Sequence, residues 1–128
     1  MPIPKASEVT TTVGTEEEAI RLADAIVRER LAACVQLWPL RSLYHWRGKI
    51  ESGAEFRLSC KTRTTRVPAL MRFIRKHHSY ELPEIISTPI AGGLPDYLKW
   101  IVAESSHARL TFPPPATRKR TSRSGRNS

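Results

Sequence analysis

Ser42-Leu43-Tyr44-His45-Trp46-Arg47-Gly48-Lys49-Ile50 is the most telling stretch of this chain. Aromatic and aliphatic residues stand on both sides of a lone glycine, the pattern of two strands joined by a tight turn. After Gly48 the alternation is clean: Ile50, Ala54, Phe56, Leu58 and Cys60 fall on one face, and Glu51, Glu55, Arg57 and Lys61 on the other. That period of two describes a half-buried antiparallel strand. Before the turn, residues 34–46 are strand-like but contain Pro39, which has no N–H for a ladder and argues for a bulge or a sheet edge. The spacing predicts a hairpin of 34–46 with 49–61, turning at Arg47-Gly48.

Working outward, residues 8–13 read as a short β segment, Val9 followed by three threonines, and Gly14 ends it. Thr15-Glu16-Glu17-Glu18 is a capping-box start, and Ala19, Ile20, Ala23, Ile26, Val27 and Leu31 recur at helical spacing, so a helix is expected over 15–32. On the other side of the hairpin, Thr64-Thr65 precede a second helix with the stripe Val67, Leu70, Met71 and Ile74, ending near His78. A strand over 83–90, a turn at Gly92-Gly93 and a short helix over 94–104 carrying Tyr97, Leu98, Trp100 and Ile101 complete the chain of elements. The order βαββαβ followed by α is that of an α+β, ferredoxin-like sandwich with a long central hairpin. A strand over 34–46 at about 3.3 Å per residue spans about 43 Å, against a diameter of about 34 Å for a compact domain of roughly 100 residues. The hairpin tip should overhang and expose Tyr44 and Trp46 unless a second chain covers them, which predicts an oligomer.

The net charge of +9 over 128 residues suggests a nucleic-acid binder until it is divided along the chain. Residues 1–104 carry 15 Lys and Arg against 12 Asp and Glu; residues 105–128 carry 6 and none. The chain therefore divides into an N-terminal extension (1–7), one folded domain (8–104) and a basic tail (105–128) with too little apolar surface to order itself. The tail reads as a weak electrostatic contact with nucleic acid or an anionic surface or, more simply, as a solubilising segment. No stretch approaches the roughly 20 apolar residues of a membrane helix and no signal-peptide core follows Met1, so the expected location is cytoplasmic. Cys34 and Cys60 each sit in an apolar run and read as buried free thiols.

The candidate site is His77-His78, two imidazoles at a helix end, followed by Tyr80, Glu81 and Glu84. Neighbouring helical residues point about 100° apart, so the pair chelates one ion only where the helix frays. No nucleophile elbow, phosphate-cradling Gly loop, HExxH or CxxC pattern is present, and an enzyme is not the expected reading.

Taken in order, Ala32-Ala33-Cys34, the segment 42–50, Lys61-Thr62, His77-His78-Ser79-Tyr80-Glu81-Leu82-Pro83-Glu84-Ile85 and Tyr97-Leu98-Lys99-Trp100-Ile101 resemble the CutA divalent-cation tolerance proteins over residues 8–104. The resemblance implies a cytoplasmic homotrimer that responds to divalent metal ions, with Cu²⁺ or another divalent cation held at His77 and His78. It implies, as an alternative, a PII-like signalling or scaffold module taking a small molecule or protein at an intersubunit cleft. Three departures stand out. Thr11 occupies the position where some bacterial members have a copper-binding first-strand Cys, Ser79 replaces the usual Pro, and Pro39-Leu40 lacks the usual Gly and is one residue shorter. Loss of the soft thiolate implies weaker copper binding.

Overall fold

A computed structural model describes residues 5–106 of the 128, so the expectations for the tail, apart from Ser105 and Ser106, lie outside the described residues. The elements are β1 (Ala6–Val13), α1 (Glu16–Arg28), β2 (Cys34–Trp46), β3 (Lys49–Arg63), a 3-10 turn (Thr64–Arg66), α2 (Val67–His77), β4 (Ile85–Pro89) and α3 (Pro95–Glu104). The four strands form one antiparallel sheet in the order β2-β3-β1-β4, the ferredoxin-like arrangement expected from the element order. No described helix is long and apolar enough to cross a membrane.

The hairpin turn uses two residues, Arg47 at φ 51° and Gly48 at φ 80°. Positive φ at both central positions matches the right-handed twist of the flanking strands, and the glycine supplies one of them without strain. Pairing is continuous from Trp46↔Lys49 to Cys34↔Lys61, so Pro39 makes no bulge; it is accommodated because β2 is an edge strand. β1 pairs with β3 only as far as Val13↔Phe56. Beyond that point the hairpin continues as a two-stranded ribbon with no further strand beside it among the described residues, and Leu43 and Ile50 are each 71% exposed.

One sheet face is apolar. Val9, Val13, Leu58 and Cys60 pack under Ala19, Leu22, Ala23 and Ile26 of α1 and Leu70 and Ile74 of α2. The buried stripe of α1 includes Leu22, whereas Ile20 and Val27, expected in it, remain about half exposed on its flank. α1 also stops before residue 32. The Arg30 N–H donates to the Val27 carbonyl and the Leu31 N–H to the Ile26 carbonyl, a Schellman ending with Arg30 at φ 58° where glycine is usual. The Arg30 side chain holds that conformation by donating to the Ser106 and Ala103 carbonyls and pairing with Glu104 at 3.4 Å. The other sheet face is largely polar: Ser59 donates to the Glu8 carboxylate, and the Lys61 ammonium donates to Gln36 at 2.6 Å and to Ser59 at 2.9 Å. α3 packs on Ala6 through Leu98 and Ile101, at the sheet end away from the hairpin tip. This contact draws β1 back to Ala6, two residues earlier than the sequence suggests, and carries packing through Ser105 and Ser106, both buried.

Candidate functional site

α2 has no acid in its first turn and three basic residues, Arg75, Lys76 and His77, in its last, where cations meet the partial negative charge of unpaired carbonyls. The helix ends at His77, and His78 is already extended, with φ −84° and ψ 141°. The two imidazoles thereby separate. His77 is exposed and lies against Phe73, ring centroids 4.4 Å apart. His78 turns inward: its Nδ1 accepts the Tyr80 backbone N–H at 3.1 Å, and its Nε2 lies 2.8 Å from the Thr12 carbonyl. A nitrogen that accepts carries no proton, so the proton sits on Nε2 and is donated to Thr12. Both ring nitrogens are thus engaged, Nε2 in tying the end of α2 to β1 and Nδ1 in the 78–80 turn, and a metal at either one requires a protein hydrogen bond to break.

Beyond His78 the chain crosses in front of the hairpin. The Tyr80 hydroxyl donates to the Glu55 carboxylate at 2.7 Å, and the Ser42 hydroxyl donates to the other oxygen of Glu55 at 2.6 Å. Burial, reinforced by that carboxylate, pushes the Tyr80 phenol above its ordinary range, so it remains a donor at all physiological pH. Arg47 at the hairpin tip pairs with Glu81 at 2.9 Å, and Arg57 pairs with Glu84 at 3.4 Å. The 78–84 segment and the ribbon enclose a cleft of about 590 Å³, whose walls include Tyr44, Trp46, Glu55, Tyr80 and Leu82.

His77, His78, Tyr80, Glu81 and Glu84 are gathered at this end of the molecule, but they do not form a metal centre. Among the described residues no group of three or more His, Cys, Asp or Glu side chains is placed to hold a metal ion. Thr11 is fully buried on the helix-facing side of β1, and its hydroxyl has no hydrogen-bond partner among the described residues. Ser42, Glu55 and Thr12 were not singled out as site residues from the sequence. The hairpin register would have found Ser42, which pairs with Gly53 and so sits diagonally across from Glu55.

The family model for the CutA1 divalent ion tolerance protein matches residues 7–104. The chain belongs to the CutA1 family. Similar CutA1-family proteins include Protein CutA of Mus musculus, 44% identical over 96 residues, which cover 74% of this chain and 54% of the mouse protein. The Divalent-cation tolerance protein CutA of Pectobacterium atrosepticum is 39% identical over 103 residues, covering 80% of this chain and 94% of the bacterial one. The chain thus spans little more than half the length of its mouse relative and nearly all of the bacterial one. The crystal structure of CutA1 from Oryza sativa superposes with a TM-score of 0.79 at 37% identity, covering 83% of this chain and 98% of the rice chain. The divalent cation tolerance protein of Thermus thermophilus gives 0.76 at 40% identity, covering 79% and 99%.

Proposed function

We propose that this protein acts in the response to divalent cations as a cytoplasmic homotrimer, and that it binds Cu²⁺ or another divalent cation weakly at the α2 end, through His77. The observation that carries the assignment to His77 is the different state of the two imidazoles. His77 is exposed, and among the described residues no hydrogen bond engages its ring nitrogens, whereas both nitrogens of His78 are in use. A lone surface imidazole, with Thr11 in place of a thiolate, favours borderline cations but gives exchangeable rather than tight binding. Association is supported by the projecting ribbon, by the unpaired outer edge of β2 among the described residues and by Trp38, Tyr44 and Ile86, each 40 to 50% exposed on the sheet face opposite α1 and α2.

Calorimetric titration of chelator-treated protein with Cu²⁺ tests the metal assignment. His77→Ala is expected to abolish the heat of binding, while His78→Ala lowers the melting temperature and leaves a binding heat. Unchanged binding by the His77→Ala protein refutes the site. Light scattering at micromolar concentration should give three times the chain mass of 14.5 kDa, and a monomer would refute the trimer.

A further inference from the structure

We infer that a depression between the end of α1 and the outer face of α2 binds a small phosphate monoester with an apolar body. Leu70 and Ile74 of α2 turn inward and are buried in the core. Ala69, Arg72, Phe73 and Lys76 follow one another at i, i+3, i+4 and i+7, so they share a second face of the same helix. With Arg66 just before α2, and Glu29 and Leu31 just after α1, that face lines a depression of about 440 Å³, within the range of small-molecule sites. Leu31, Ala69 and Phe73 give it an apolar part against which a hydrocarbon or aryl group can lie.

The charged residues select the other half of the ligand. Arg66, Arg72 and Lys76 against Glu29 leave +2, and the sequence from Thr64 to His78 contains no Asp or Glu. Arg66 is 7% exposed and donates to the Arg30 carbonyl at 3.3 Å, which holds it in the wall. Arg72 and Lys76 are exposed and make no ion pair or hydrogen bond among the described residues, whereas Arg28, Arg30, Arg47 and Arg57 each meet a carboxylate. A guanidinium fork and an ammonium one helical turn apart suit a phosphate group, the first through paired hydrogen bonds and the second as a point charge. Above its second pKa of about 6 a phosphate monoester approaches a dianion, the counterpart of +2. The depression belongs to the helical layer, on the other side of the sheet from Trp38, Tyr44 and Ile86, so subunit association through that sheet face leaves it open. Residues 107–128 carry no Asp or Glu, so the rest of this chain is not the occupant that the charge selects.

Phenyl phosphate is the probe, titrated calorimetrically at pH 8 into the full chain with chelator present, so that failure here leaves the divalent-cation reading intact and the reverse. Inorganic phosphate lacks the apolar body, and phenol lacks the charge. Saturable binding of phenyl phosphate, at least about tenfold tighter than either and weakened by added NaCl, is expected. Replacing both cations, Arg72→Gln with Lys76→Gln, should reduce the affinity about tenfold or more, and because both side chains are exposed the fold is retained. Glu29→Gln removes the opposing charge and should tighten binding about threefold, a gain that damage to the fold does not produce. Absence of saturable binding, or equal affinity for inorganic phosphate or for phenol, overturns the proposal. So does unaltered affinity in the Arg72→Gln, Lys76→Gln double variant, or a Glu29→Gln protein that binds no more tightly than the parent.

Discussion

Replacing Thr11 by Val should stabilise the protein. Thr11 is fully buried in β1 between Leu58 of β3 and Ile85 of β4, and its hydroxyl meets no partner among the described residues. A hydroxyl taken from water without a compensating bond costs about 1–3 kcal/mol, and the near-equal volume of valine lets a methyl take its place without opening a cavity. Valine is also well suited to a central strand. A gain of about 1–2 kcal/mol is expected, which for a domain of roughly 100 residues raises the melting temperature by at least about 4 °C. Thr62→Val is the paired control: its hydroxyl is equally buried but donates to the Leu31 carbonyl at 2.7 Å, so its removal should cost about 1–3 kcal/mol. Thermal denaturation followed by circular dichroism, with parent and variants at one fixed protein concentration, decides between them. A Thr11→Val protein that melts below the parent, or a Thr62→Val protein that melts above it, refutes the reasoning from hydroxyl partners.

Gly48→Ala should lower stability by about 1 kcal/mol because φ is +80°, although a Cβ there meets nothing; Gly53→Ala, where φ is ordinary and space is equally open, should be neutral or slightly stabilising by chemical denaturation. Arg30→Ala keeps the strained φ but loses the bonds to Ala103 and Ser106, so hydrogen exchange in the last turn of α3 should accelerate at least tenfold while α2 is unaffected. Burial pushes the Cys60 thiol up to about 12, so at pH 8 a thiol-disulfide reagent should label Cys34 and spare Cys60 until the chain unfolds. Because the folded value lies above the unfolded one, near 9, the stability linked to neutral Cys60 is fully present below pH 9 and is lost as pH rises from there towards 12; a denaturation midpoint that increases over that interval would contradict it.

The hairpin could be read from the chain because a period of two and a well-placed glycine are local signals. The end of α1 could not, since Arg30 adopts a glycine-like φ only with the help of α3, far along the sequence. Leu22, by contrast, follows from local spacing: with Ala19, Ala23 and Ile26 it makes the i, i+3, i+4, i+7 stripe that faces the sheet, and Ile20 and Val27 lie on its flank. At the site, the His pair and its acidic followers were visible as residue types. Their roles were not, because the Thr12 carbonyl and Glu55 reach His78 and Tyr80 only through the sheet register. Glu55 looked like any charge on the polar side of a strand.

The position of β1 also sets the tempo of folding. The hairpin of β2 and β3 closes through a two-residue turn, a local event of roughly 1–10 μs once both strands exist. β1 emerges first yet lies between β3 and β4, and β4 is the last of the described strands to be made. At about 5–20 residues per second, the stretch from Val13 to Ile85 takes roughly 4–14 s to synthesise, so on the ribosome one edge of β1 waits unpaired for seconds. Glu8 puts a charge on that waiting strand, which limits its use as a template for neighbouring nascent chains.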